Sequence, residues 1–231
     1  MSKKKLIIFS GAGMSAESGI KTFRDSGGLW EEYKVEDVAT LEAWERNKEL
    51  VTLFYNQRRK QVMEAQPNEA HKIIADLQKI FDVTVITQNV DNLHERAGSK
   101  SVIHLHGEIV KAQSSLDPSK IYNLKNWEIK IGDTCELGSQ LRPYIVWFGE
   151  MVPLMEPAID MVGKADLFTV IGTSLNVYPA AGLVNYTPST IPKWLVDPGD
   201  FNLEHIQNIE QIKDTAVSGM KKLKDVLKKL K

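Results

Sequence analysis

Six short, non-alternating apolar runs constrain this chain more than anything else in it: Leu6–Phe9, Val83–Thr87, Val102–Leu105, Tyr144–Phe148, Leu167–Ile171 and Trp194–Val196. Runs of this kind are what strands buried on both faces look like. Several are followed by a glycine or a polar turn and then by helical periodicity. That order predicts an α/β fold built on an open, Rossmann-like parallel sheet.

Two stretches interrupt the pattern. Between Glu36 and Ile80, Leu50, Leu53, Phe54 and Gln57, then His71, Ile74 and Leu77, follow helical spacing, with a natural break at Gln66-Pro67-Asn68. From Glu108 to Arg142 the chain is polar and irregular, with turns at Asp117-Pro118 and Gly132-Asp133. The expected division is therefore a sheet domain of residues 1–35, 81–107 and 143–231. A helical insertion (36–80) and a loop-rich insertion (108–142) form a smaller domain. The tail from Met220 to Lys231 places Leu223, Val226, Leu227 and Leu230 on one face and lysines on the other, which predicts a terminal helix docked on the body.

Composition matters for what it excludes. Lys+Arg 29 against Asp+Glu 30 leaves a net charge of -1, so no bulk field gathers nucleic acid or an anionic membrane. The apolar run after Lys3-Lys4-Lys5 is too short for a signal peptide, and nothing approaches the ~20 apolar residues of a membrane span. A cytoplasmic location is expected. The single cysteine, Cys135, permits no internal disulfide and no multi-thiolate metal site within one chain.

Chemistry concentrates at three places. Directly after the first run, Gly11, Gly13 and Ala16 satisfy the dinucleotide fingerprint G-x-G-x-x-G/A, where glycines let backbone approach a pyrophosphate. A ligand-free tight turn satisfies the same pattern. A dehydrogenase also needs an acidic residue ending a second strand ~20 positions on. Glu31 and Glu32 stand at that distance but in Gly28-Leu-Trp-Glu-Glu-Tyr33, which is not a strand. The second place is Thr87-Gln88-Asn89-Val90-Asp91-Asn92-Leu93-His94, a polar set at a strand's carboxyl end, where open α/β sheets put their sites. A helix cap explains one of these residues, not the set. The third is His104-Leu-His106-Gly107. Its two histidines share a strand face and could hold a metal, but a single histidine acting as general base, with Gly107 leaving room for substrate, fits better.

Together these pieces resemble the sirtuin family of NAD-dependent protein-lysine deacylases. The match runs through Gly11–Ile20, Thr22-Phe-Arg-Asp25, Gly28-Leu-Trp30, Thr87–His94, His104–Glu108, Arg142-Pro143, Val146-Trp-Phe-Gly-Glu150 and Gly172-Thr-Ser174, in family order. The resemblance implies NAD as cofactor and acylated-lysine proteins as partners. It implies a cofactor-binding set of Gly11, Ala12, Gly13, Ser15, Ile20, Phe23, Arg24, Trp30, Gln88, Asn89, Val90, Asp91, Gly172, Thr173, Ser174 and Asp197. His106 and Asn89 would be catalytic. The acyl-lysine amide oxygen would attack C1′ of the nicotinamide ribose as nicotinamide leaves, and an alkylimidate forms. His106 would then act as base on a ribose hydroxyl, so that the acyl group moves to ADP-ribose. Val146, Trp147, Phe148, Gly149 and Val177 would line the substrate, with Val146–Glu150 and Leu175–Val177 pairing with the peptide as strands.

Tyr55 and Arg58 are i, i+3 neighbours in the helical insertion, and a phenol beside a guanidinium suits a carboxylate. Taken alone, the pair reads as a surface Arg beside a half-buried Tyr. In the family branch acting on succinyl- and malonyl-lysine, a Tyr-x-x-Arg stands at this point, and Val38–Ala43 resembles that branch, Ala43 leaving room for a long acyl chain. Desuccinylation and demalonylation are the expected activities, deacetylation a secondary one.

Two features depart from the family. Most sirtuins carry two C-x-x-C pairs in the second insertion, binding zinc; here Ser114-Ser115, Asp117-Pro118 and the lone Cys135 stand there. No zinc is expected. The insertion would be held by packing through Ile121, Tyr122, Leu124, Trp127 and Ile129, and nothing marks Cys135 as an activated nucleophile. Asp197 stands where the family usually has an Asn gripping the adenosine ribose; it accepts hydrogen bonds but cannot donate them. An adenine-side contact would fall near Gln211–Thr215. The rival readings are an NAD hydrolase or ADP-ribosyltransferase using the same pocket, a non-catalytic NAD-binding sensor, and a metal-dependent amidohydrolase built on His104 and His106.

Overall fold

The computed structural model describes residues 2–22 and 33–231; the expected contacts of Phe23, Arg24 and Trp30, like Glu31 and Glu32, lie outside the described residues. The strands are β1 (Lys5–Ser10), β2 (Asp82–Thr87), β3 (Val102–His104), β4 (Gly107–Ser114), β5 (Ile121–Asn123), β6 (Leu141–Ile145), β7 (Leu167–Ile171), β8 (Lys193–Val196) and β9 (Ile209–Ile212). Six of them form one parallel sheet in the order β3-β2-β1-β7-β8-β9. β1 is central, and its side chains show why the run cannot alternate. Leu6 and Ile8 enter one core with Ile74, Leu77, Leu223 and Leu227, while Ile7 and Phe9 enter the opposite core with Val162, Phe168, Leu183 and Leu195. Successive residues of a strand face opposite ways, so a strand covered on both faces is apolar throughout.

Among the described residues the α-helices are α1 (Gly13–Ala16), α2 (Val35–Val38), α3 (Leu41–Arg46), α4 (Lys48–Glu64), α5 (Glu69–Leu77), α6 (Leu93–Arg96), α7 (Met155–Gly163) and α8 (Ala216–Lys228). The break at 66–68 separates α4 from α5, and Asn68 caps α5 by accepting from the Ala70 and His71 N–H groups. α8 docks through Met220, Leu223 and Leu227, whereas Val226 is exposed. Gly219 lets the helix lie flat on β8, since a Cβ there would stand 2.2 Å from Val196 Cγ1.

Three expectations need correction. The Tyr144–Phe148 run is not a parallel strand: β6 ends at Ile145 and joins an antiparallel sheet β5-β4-β6, and β9 takes the sixth parallel place. For the same reason the 108–142 stretch is not merely loop-rich, because it holds most of that small sheet. It packs on the helical insertion through a shared core of Trp44, Phe54, Tyr55, Ile109, Ile145 and Trp147.

Packing by the five named residues is also not how this stretch is held. Ile121 and Trp127 are exposed, Tyr122 and Leu124 half-buried, and only Ile129 is buried. Polar straps from α4 carry the load instead. The buried Arg59 donates from Nε to the Ile109 carbonyl (2.5 Å) and from Nη1 to the Trp127 carbonyl (2.8 Å) and Asn56 Oδ1 (2.7 Å). Asn56 itself exchanges hydrogen bonds with the backbone of Ile129. Where the family's zinc would be sought, Cys135 Sγ meets Ser139 Oγ at 3.2 Å and Ser114 Oγ at 3.5 Å, and those hydroxyls lie 2.8 Å apart. One thiolate with two neutral hydroxyls is not a zinc donor set. These hydroxyls hold the Cys135 thiol down to about 6, an activation the sequence does not signal, but the residue lies off the cavity described next.

Candidate active site

A cavity of about 890 Å³ lies at the carboxyl ends of the parallel strands, within the usual range for small-molecule sites. Its walls bring together Ala12 and Gly13 after β1, Gln88, Asn89 and Val90 after β2, and His106 after β3. Gly172, Thr173, Ser174 and Val177 follow from β7, and Asp197 from β8. Val146, Trp147, Phe148 and Gly149 form one side, with Tyr55 of α4 beside them. Residues 11, 15, 20, 43, 58 and 91 of the expected set are not on this wall.

The glycines after β1 have a local cause. A Cβ on Gly11 would stand 2.6 Å from Thr173 Cβ, and one on Gly13 2.8 Å from Gly172 Cα. Gly172 itself has φ +59°, and a Cβ there would meet the Met14 nitrogen at 2.3 Å. The two loops are laced by Gly11 N–H to Ile171 O (2.9 Å) and Gly13 N–H to Gly172 O (2.8 Å). Gly11 thus acts through close loop packing, and Gly13 and Gly172 reach the wall from a backbone no larger side chain permits.

Behind the wall runs a buried polar network. Ser15 Oγ donates to Asp91 Oδ2 (2.9 Å) and accepts from Asn89 Nδ2 (3.1 Å), while Asp91 Oδ1 accepts from the Leu93 N–H (3.1 Å). Burial raises the Asp91 carboxyl despite those donors and the charge of His104. Gln88 Oε1 accepts from Thr173 Oγ1 (2.8 Å), tying the β2 and β7 loops together. Ser15 and Asp91 therefore serve the cavity by orienting Asn89, and Ile20 is a core residue of the helical insertion.

His106 Nδ1 stands 3.1 Å from the Gln88 carbonyl, which can only accept, so Nδ1 carries the proton and Nε2 the lone pair. Burial lowers its pKa, keeping the imidazole neutral at pH 7, as a general base requires. His104 is placed differently: both its nitrogens are engaged, by Asn89 O and Glu95 Oε1. The pair therefore does not offer a joint metal face, and among the described residues no cluster of three ligand-type side chains occurs.

In the acyl region, Tyr55 Oη accepts from Trp147 Nε1 at 3.0 Å, and Arg142 lies 4.1 Å over the Trp147 ring. Arg58 is buried against Phe54, and burial lowers its pKa to about 10 against the opposing charges of Tyr55 and Asp91. Ala43 is fully buried in the core; the small residue on the wall is Ala39. Four backbone donors along 146–150 are committed: Val146 N–H to His106 O, Trp147 N–H to Glu150 Oε2, Phe148 N–H to Ala39 O and Glu150 N–H to Trp147 O. A peptide laid here would meet carbonyl oxygens at these positions rather than free N–H groups.

Several wall residues carry no motif. Thr215 and Ala216 at the start of α8 close the far end, and Glu17 beside them accepts from Thr215 Oγ1 and the Val217 N–H. Gln211 does not line the cavity; it braces the Asp197–Gly199 turn through both carbonyls. Thr215 falls within the stretch expected to supply an adenine-side contact, whereas no local pattern marks Glu17 or Ala216, because only the folded chain brings α8 to the β1 loop.

The wall fits a dinucleotide. Its lining combines the close-packed β1 and β7 loops, hydroxyl and amide groups, a neutral imidazole and a carboxylate just after β8. Comparison with known proteins agrees. Residues 11–179 match the Sir2 family. The NAD-dependent protein deacylase of Bacteroides thetaiotaomicron is 53% identical over 229 residues, 97% of this chain and 98% of its own. That of Helicobacter pylori is 50% identical over 222 residues, covering 95% and 96%. A mutant Sir2 homologue solved with ADP-ribose matches with TM-score 0.90 and 37% identity, over 99% of this chain and 93% of its own. A Sir2 homologue solved with NAD gives 0.88 and 37%, over 99% and 91%.

Proposed function

This chain belongs to the Sir2 family, and from that premise we propose how its site works and which acyl groups it removes. It is an NAD-dependent protein deacylase. NAD, when bound, supplies an electrophilic ribose carbon that accepts the acyl-lysine amide oxygen as nicotinamide departs. Gly13, Gly172, Thr173 and Ser174 would hold the pyrophosphate and adenosine half, and Asp197 the ribose hydroxyls. Asn89, oriented by Ser15 and Asp91, would line the nicotinamide ribose. His106, neutral and with Nε2 unprotonated, would take the proton of a ribose hydroxyl whose oxygen would bond the acyl carbon; with water added, the lysine amine would leave and the acyl ester of ADP-ribose remain. The proposed domain division assigns the cofactor half to the parallel sheet, and the substrate cleft to the edge where the insertions' shared core meets it.

We propose succinyl- and malonyl-lysine as preferred substrates, with acetyl-lysine secondary. The observation that carries this is Tyr55: a hydroxyl on the cavity wall, one turn from a buried guanidinium. A longer acyl chain with a terminal carboxylate would reach the phenol, while Arg58 supplies positive potential from behind it. The test is a product assay with NAD and acetyl-, malonyl- and succinyl-lysine peptides, reading acyl-ADP-ribose. Arg58→Met should abolish desuccinylation and spare deacetylation. Equal loss of both would mean that Arg58 serves the Asp91 network instead, and would sink the assignment. Nicotinamide release without any acyl-lysine peptide would favour NAD hydrolysis.

A further inference from the structure

His104 is the half of the H-x-H motif that the reaction above does not use. It is buried, off the cavity wall, and held at both ends: Nδ1 lies 2.9 Å from the Asn89 carbonyl and Nε2 2.7 Å from Glu95 Oε1. The carbonyl can only accept, so Nδ1 is protonated. Burial works to raise the Glu95 carboxyl, but the hydrogen bond and charge of His104 outweigh it and the net shift is downward. Glu95 is thus an anion, Nε2 is a donor as well, and the ring is an imidazolium. The motif then has a simple geometry. His106 donates to the carbonyl of residue 88 and His104 to that of residue 89, so the last residue of β3 and the second after it fasten consecutive carbonyls after β2.

We infer that His104 is a positioning residue which, with Glu95 as counter-ion, fastens the Asn89 carbonyl and so fixes how Asn89 is presented to the cavity. The remaining supports of Asn89 are the Thr87 hydroxyl, accepting its N–H at 3.0 Å, and Ser15. Thr87 thus holds the N–H, Ser15 the side-chain amide and His104 the carbonyl, so each polar end of Asn89 that these bonds reach has a different holder. The groups facing His104 are Glu95 and His94 from α6, Asp91 from the loop, and Glu108 from β4, the last paired with Lys111. Burial opposes the cation, but the hydrogen bond and charge of Glu95, the Asn89 carbonyl and Glu108 prevail, so its pKa is raised. The two histidines of the motif are therefore pushed in opposite directions. His106 must lose its proton for activity and sets an acid limb below the ordinary histidine value. His104 must keep both protons: a neutral ring has one N–H for two acceptors, and the charged Glu95 claims it, leaving a lone pair against the Asn89 carbonyl. It therefore sets an alkaline limb above that value.

The inference rests on the deacylase reading. The experiment is a pH profile of nicotinamide release from NAD with acetyl- and succinyl-lysine peptides, for the unsubstituted protein and three variants. Absence of nicotinamide release from the unsubstituted protein would overturn the deacylase reading itself, whereas the variants test His104 alone. His104→Gln keeps a donor toward Glu95 and loses the Asn89 prong; kcat should fall about tenfold or more with KM for NAD little changed, since most cofactor contacts lie on other loops. His104→Asn places an amide donor where Nδ1 stood and should recover most of kcat while abolishing the alkaline limb. Glu95→Gln, at a half-exposed position that tolerates change, should move the alkaline limb down by about one pH unit or more. Equal impairment of the Asn and Gln variants, or an alkaline limb unmoved by Glu95→Gln, overturns the inference.

Discussion

The indole nitrogen of Trp147 can only donate, so at 3.0 Å from the Tyr55 hydroxyl it occupies a lone pair there and leaves the phenolic proton for another acceptor. Burial pushes the phenol up to about 12 despite the Arg58 charge, so that proton stays on. A hydroxyl polarised this way suits a carboxylate and offers little to an acetyl methyl. Trp147→Phe, which keeps the ring over Arg142 but loses the donor, should lower desuccinylation kcat/KM about tenfold while deacetylation changes less than about threefold. A uniform fall would show that the tryptophan matters only as bulk. Residue type and helical spacing alone read Tyr55 and Arg58 as a surface Arg beside a half-buried Tyr, and only the resemblance singled the pair out; Arg58 is in fact buried. Their difference in depth was not legible, since two residues on one helix face share a direction but not a distance to the wall. Nor could the pattern choose between Ala39 and Ala43, which differ only in how the short helices α2 and α3 turn.

At the level of elements, Arg59 takes over a role that metal-thiolate bonds play elsewhere. It draws the carbonyls of Ile109 and Trp127, one in β4 and one in the connecting stretch, onto α4, and burial lowers its pKa to about 10. Arg59→Met strands those carbonyls and should cost roughly 3 kcal/mol, about 6–12 °C in Tm. Hydrogen exchange should rise first across 107–145, leaving β1 and β7 protected; unfolding of all elements together would contradict a local strap. Chelator should leave Tm unchanged, because no zinc donor set is present at Cys135. The central strands were readable because only double burial makes Leu6–Phe9 apolar throughout. The same signature misled at Tyr144–Phe148, whose apolar faces are buried between the insertions rather than inside the parallel sheet. β9 escaped notice for the opposite reason: Ile209-Glu-Gln-Ile212 is an edge strand and needs no continuous apolar run.

Across the whole molecule, α5, α6, β1 and β2 meet at buried histidines. His94 Nε2 lies 3.0 Å from Ser10 Oγ, the His71 and His94 rings are 4.8 Å apart, and His71 Nδ1 lies 3.0 Å from the Asn68 side chain. Burial lowers His71 to about 4 and His94 well below its ordinary value. The unfolded chain binds those protons near pH 6.5, so stability is full above that pH and is lost as pH falls toward 4. The loss should reach roughly 3 kcal/mol from His71 alone, and a flat Tm between pH 7 and 4.5 would refute it. His104 works in the opposite sense: its stabilisation is complete below pH 6.5 and disappears as pH rises through its raised value. One arrangement reaches further. β1 is made early, yet Leu6 pairs with Leu167, and the cavity that starts at Ala12 is closed by Thr215 and Ala216. A growing polypeptide on the ribosome therefore carries an apolar strand with one side uncovered until β7 has emerged, which exposes it to association with other nascent chains. Since part of the cavity wall comes from the start of α8, cofactor capture would wait for α8 to emerge and dock rather than follow the emergence of the glycine loop.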